Sequence, residues 1–104
     1  MSSLVENEIR KKIQGKQELL PNNIDVSVTT TPAPITAQQT LVKMLIIVNA
    51  SSTDALLGTA SKQNIPIKAG SSIAIVTPKD TVIDLAKLYV VSTANITLNV
   101  MWWS

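Results

Sequence analysis

Short runs of alternating apolar and polar residues, cut by turn formers at intervals of about 8–12 residues, restrict this chain to small β folds. The clearest run is the last: Ile96, Leu98, Val100 and Trp102 alternate with Thr97, Asn99 and Met101. A period of two places one set on a buried face and the other toward solvent. Ile24, Val26 and Val28 alternate in the same way with Asp25 and Ser27, and Ser72 to Thr77 does so through Ile73 and Ile75. Thr40 to Val48 is apolar without strict alternation, which predicts a strand buried on both faces. Ala55–Gly58 is a short strand ending at a glycine, Ile65-Pro66-Ile67 leads into the next turn, and Leu85 to Ser92 is a further strand carrying Leu88, Tyr89, Val90 and Val91. Asn49–Asp54, Lys68–Ser71, Pro78–Asp80 and Thr93–Asn95 are the turns between them. Thr31-Pro32-Ala33-Pro34 belongs to a turn or a sheet edge, because proline cannot donate to a ladder. Thr, Val and Ile supply 33 of the 104 residues, in keeping with strand formation.

The first twenty residues are different. They hold seven of the chain's sixteen charges, and the remaining residues hold nine. The boundary falls at Pro21-Asn22-Asn23. Residues 1–21 predict a short amphipathic helix or arm, and residues 22–104 predict a β domain. Ser3 and Glu6 have capping-box spacing. Val5, Ile9 and Ile13 share a helical face. Arg10, Lys11 and Lys12 suit the negative end of the helix dipole, and Gly15 is a stop. A lone helix of this length is marginal in water, so it must find its own domain or a neighbouring subunit. The expected fold is therefore all-β: a small antiparallel β-sandwich, jelly-roll or immunoglobulin-like, preceded by a short N-terminal helix or arm.

Composition excludes most chemistry. There is no His and no Cys, which removes the common triads, thiol nucleophiles and ordinary zinc or haem ligation. Three glycines, Gly15, Gly58 and Gly70, are too scattered for a phosphate cradle, and the last two read as positive-φ turn or bulge positions. Beyond residue 21 the carboxylates are Asp25, Asp54, Asp80 and Asp84. Each is expected in or beside a turn, where Asp binds its own backbone. No catalytic residue, cofactor or metal is expected. A net charge of +2 with one Tyr and two Trp is weak equipment for nucleic acid. The longest apolar run, Met44–Val48, is far short of the ~20 residues a spanning helix needs, so no membrane partner is expected. The opening Met1–Glu6 lacks the pattern of a cleaved signal. Asn49-Ala50-Ser51 and Asn95-Ile96-Thr97 match the glycosylation pattern, which is short and common by chance.

The order of local motifs carries a resemblance. A strand closing in Val48-Asn49-Ala50-Ser51 follows Thr36-Ala37-Gln38-Gln39. It precedes Ala55-Leu56-Leu57-Gly58, Asn64-Ile65-Pro66-Ile67, Ala69-Gly70-Ser71-Ser72 and Asp84-Leu85-Ala86-Lys87-Leu88-Tyr89-Val90. Across residues 24–101 this resembles the small all-β accessory virion proteins of tailed bacteriophages. The family's glycine-rich hairpin is thinner here, since Thr59 to Gln63 contains no glycine. The resemblance implies a non-enzymatic structural subunit of the virion, made in the host cytoplasm, that decorates the head or joins a tail or fibre. Its partners would be capsid or tail proteins of the same particle. Low charge fits apolar contact with neighbours, and a homo-oligomer is expected, a trimer first, because symmetric lattices favour ring assemblies. Val5, Ile9, Ile13, Trp102 and Trp103 are the candidate contact residues, since tryptophan is enriched in interfaces. The alternative is a tail- or fibre-associated module for carbohydrate or a cell surface, using Asn95, Asn99 and Trp103.

Overall fold

The computed structural model describes residues 22–104, and these are all-β. The expected N-terminal helix, with Val5, Ile9 and Ile13, lies outside the described residues. Ten strands are present: β1 (Asn22–Val28), β2 (Ala33–Pro34), β3 (Leu41–Val42), β4 (Met44–Asn49), β5 (Ala55–Gly58), β6 (Gln63–Ile67), β7 (Ser71–Val76), β8 (Ile83–Asp84), β9 (Tyr89–Ser92) and β10 (Ile96–Trp103). The first sheet has the order β1-β10-β4-β7 and the second β2-β9-β5-β6, while β3 and β8 pair with each other. Every pairing is antiparallel.

The two four-stranded sheets share one core. Val26, Val28, Leu45, Ile47, Leu98, Val100 and Trp102 come from the first sheet, and Ala55, Leu57, Ile67 and Val90 from the second. Alternation explains the assignment. In β10, Leu98, Val100 and Trp102 are buried while Thr97, Asn99, Met101 and Trp103 face outward. Trp102 is thus a core residue of its own domain, and of the tryptophan pair only Trp103 lies on the outer face. In β4, Leu45, Ile47 and Asn49 are buried, and Met44, Ile46 and Val48 are only half-buried. The expected strand from Thr40 to Val48, covered on both faces, is therefore corrected. It breaks at Lys43, and its second half is a half-buried strand because no layer of described residues covers its outer side.

Three other expectations shift. Leu85–Ser92 is not one strand: Leu85–Lys87 form a 3₁₀ turn before β9. The Asp84 carboxylate accepts hydrogen bonds from the N–H groups of Thr40 (3.0 Å) and Ala86 (3.0 Å), and a local side-chain acceptor of this kind competes with a strand ladder. Asp25 is not beside a turn but mid-β1, opposite Asn99. Gly70 has the expected left-handed backbone, φ 74°, whereas Gly58 sits at a register shift in the β5–β6 pair without it. Gly58 is required by crowding instead, because a Cβ there would collide with the Lys62 carbonyl. The glycine-free loop closes through reciprocal bonds, Thr59 N–H to Lys62 O (2.9 Å) and Lys62 N–H to Thr59 O (3.3 Å). Pro34 and Pro66 both lie in edge strands, β2 and β6, as proline's missing donor demands.

Asn49 links the two sheets. It is fully buried at the end of β4. Its Nδ2 donates to Thr53 O (2.9 Å) and to Ile67 O of β6 (2.9 Å). Its Oδ1 accepts from Ser51 N–H (3.1 Å) and Ser51 Oγ (2.6 Å), and its carbonyl accepts from Gly70 N–H (2.7 Å). Asn49→Ala removes the buried donor to the Ile67 carbonyl and the acceptor of Ser51, leaving Thr53 O to the Ser51 hydroxyl (2.9 Å), and is expected to cost about 2 kcal/mol, whereas Asn64→Ala, on the exposed part of β6, should cost under about 0.5 kcal/mol. Urea midpoints measured on both variants check this. Gly58→Ala is expected to lose about 3 kcal/mol through overpacking, against about 1 kcal/mol for Gly70→Ala through backbone strain, read in the same titration.

Candidate interaction surfaces

Strand register decides what each sheet presents outward. In the first sheet the outward rows are Trp103–Met44–Val76, then Met101–Ile46–Ala74, then Asn99–Val48–Ser72. The first two rows are apolar across β10, β4 and β7, the third only at Val48, and Val76 is 68% exposed. The β1 side is polar. There the Asn99 amide donates to Asn23 Oδ1 (2.6 Å) and Asp25 Oδ1 (3.1 Å).

A shallow cleft of about 640 Å³ adjoins the apolar rows, between Lys43, Met44, Val76, Lys79, Val82 and Trp103. The loop that walls it is held by its own threonines. Thr77 Oγ1 donates within reach of both Lys43 O (3.1 Å) and Thr81 O (3.0 Å), and Thr81 Oγ1 donates to Pro78 O (2.6 Å). Asp80 adopts φ 62°, a left-handed position that Asp tolerates better than most residues.

In the second sheet the outward rows are Pro66–Leu56–Val91 and Gly58–Tyr89–Pro34. Leu56 is 39% exposed. A second cleft of about 710 Å³ lies at the end of this face, with Leu56 and Val91 beside Ser52, Thr53, Asp54 and Thr93.

The sequence candidates are distributed as follows. Asn99 and Trp103 share the outer face of the first sheet, but the Asn99 amide is already engaged. Asn95 precedes the opposite end of β10, eight residues from Trp103, or about 27 Å along a strand. The proposed glycan trio is therefore not brought together. The Asn49 glycosylation match is closed off, since that side chain is buried and its amide doubly bonded. Among the described residues no three carboxylates gather as a metal site would require. Sequence reasoning missed the outward apolar rows of both sheets. Their signal was the failure of strict alternation in Met44–Val48 and in Tyr89–Val91.

Electrostatics here is local. Asp54 is held below its ordinary value of 3.8, chiefly by the Ala69 N–H at 2.8 Å, against a desolvation penalty and with help from Lys68 at 3.4 Å. Asp84 is also lowered, first by the Thr40 N–H, with the Ala86 N–H and the Lys87 charge adding to it and burial opposing.

Compared with family models, curated proteins and solved structures, the chain matches none. The reading of its surfaces therefore rests on their geometry.

A carboxyl whose folded pKa is depressed contributes stability that is full above its unfolded pKa and lost as pH falls through the folded one. Urea midpoints should accordingly hold steady down to about pH 5 and drop below about pH 4. The double variant Asp54→Asn/Asp84→Asn should begin less stable and show a shallower drop. An unchanged drop in that variant would assign the acid sensitivity to other groups.

Proposed function

We propose that this chain is a non-enzymatic structural virion protein of a tailed bacteriophage, a capsid decoration or head-accessory subunit built on a jelly-roll β-sandwich. It binds the particle surface and neighbouring subunits of its own kind, with no cofactor, nucleic acid or membrane involved. Strand order supports the jelly roll over the immunoglobulin-like alternative. Setting aside the two-residue pair β3 and β8, the eight remaining strands run 1-8-3-6 in one sheet and 2-7-4-5 in the other. That order is the double Greek key of jelly rolls, an architecture found in viral capsid and lectin domains. Fold alone does not assign function.

The observation that carries the functional reading is the pair of apolar outward faces. A domain that holds only nine of the chain's sixteen charged residues places Leu56, Pro66, Tyr89 and Val91 outward on one sheet and Met44, Ile46, Val76 and Met101 outward on the other. Extended apolar patches mark interaction surfaces. The resemblance of the Val48–Ser51, Ala69–Ser72 and Asp84–Val90 motifs to phage accessory proteins names the kind of particle.

Light scattering on the purified chain at tens of micromolar should give an oligomer, three times the 11.2 kDa chain mass being favoured. Leu56→Asp, at an exposed position, should keep the far-UV spectrum and lower the mass. A monomeric parent that also fails to bind assembled phage heads and tails would overturn the reading.

A further inference from the structure

The outer face of the first sheet has an occupant available within the chain. Residues 1–21 lie outside the described residues, and the chain enters the fold at Asn22. Asn22 pairs with Trp102, at the same end of the sheet as the apolar row Trp103–Met44–Val76. We propose that the chain's own N-terminal segment docks on this face, setting Val5, Ile9 and Ile13 against Met44, Ile46, Val48, Val76 and Met101.

Reach allows it. From Asn22 on the edge strand β1 to β4 is two strand spacings, about 10 Å. Eight residues separate Ile13 from Asn22, and that much chain reaches at most about 26 Å, more than the gap. A short tether that can reach its site gives an effective concentration in the millimolar range. A second copy at micromolar concentration competes poorly with that. The tether crosses β1 over its polar outward residues Asn23 and Asp25, where a wet linker is tolerated.

Charge points the same way. Seven of the sixteen charged residues lie in this segment, while the sheet face it would cover presents almost none. On a helix that set Val5, Ile9 and Ile13 against the sheet, Glu8, Arg10 and Lys11 would fall on the far side and Glu6 and Lys12 on the flanks, replacing an apolar surface with a charged one. The second sheet's face is left for partners, so this assignment stands whether or not the particle is a virion.

The chain has no cysteine, so pairs can be introduced on a clean background. Full-length Ile9→Cys is combined in turn with Met44→Cys, Ile46→Cys and Met101→Cys and oxidised at about 10 µM. At least one pair should give an internal disulfide on non-reducing gels, exceeding the inter-chain product by roughly a hundredfold. As a control independent of crosslinking, Ile46→Asp should speed trypsin cleavage at Arg10–Lys12 several-fold while leaving the far-UV spectrum unchanged. Disulfides that form only between chains would assign the face to a second copy. No disulfide in any of the three pairs, with trypsin cleavage unaltered by Ile46→Asp, would leave the segment undocked. Either result overturns the proposal, while the mass of the unmodified chain and its binding to particles remain the separate test of the proposed function.

Discussion

Asn49 carries the constraint on which the rest of this fold depends. A core shared by two sheets can exclude water only if the chain crosses between them without leaving backbone groups bare. The crossing after β4 is short and partly buried. Asn49 serves it from a fully buried position, using both amide hydrogens and its side-chain oxygen. One donor goes to the loop that begins the crossing, and the other goes to Ile67 in the opposite sheet. An aliphatic side chain at this position would fill the volume and take away the buried donor to the Ile67 carbonyl, while Thr53 O would keep only the Ser51 hydroxyl. The hydroxyl of Ser92 does a similar task at the far side, donating to Asp54 O at 2.9 Å while Ser92 N–H reaches Thr29 O at 3.0 Å. These two are the buried polar residues among those described, and both sit where strands of different sheets meet.

Much of the β architecture was legible in the sequence because alternation is a local signal. β1, β7 and β10 were visible in their period-two runs, and the prolines of Thr31–Pro34 marked a turn or an edge. What could not be read was set by partners distant in sequence. Nothing near residue 43 announces that Leu41–Val42 pairs with Ile83–Asp84 while Met44–Asn49 pairs with β10 and β7. The 3₁₀ turn at Leu85–Lys87 depends on Asp84 reaching Thr40, forty-four residues away. The order of strands within each sheet is likewise a matter of long-range pairing.

The candidate surfaces were less legible than the fold. Tryptophan drew attention to residues 102 and 103, yet a period of two sends one of any adjacent pair inward, and Trp102 went to the core. The surface that distinguishes this domain is made of unremarked aliphatics and methionines: Met44, Ile46, Leu56, Val76, Val91 and Met101. In a sequence they are indistinguishable from core residues. Only the register shows that Ile46 and Ile47, neighbours of identical chemistry, face opposite ways.

The distribution of proline between the two sheets gives the domain a direction. Each free margin of the second sheet, β2 and β6, carries a proline and so lacks a backbone donor. The margins of the first sheet, Asn22–Val28 and Ser71–Val76, carry none and are seven and six residues long. An incoming extended chain can continue the ladder beside β1 or β7 and meets a broken template beside β2 or β6. Growth by strand addition would therefore be planar and would run along one layer of the molecule, with the proline-edged layer riding above it as a passenger.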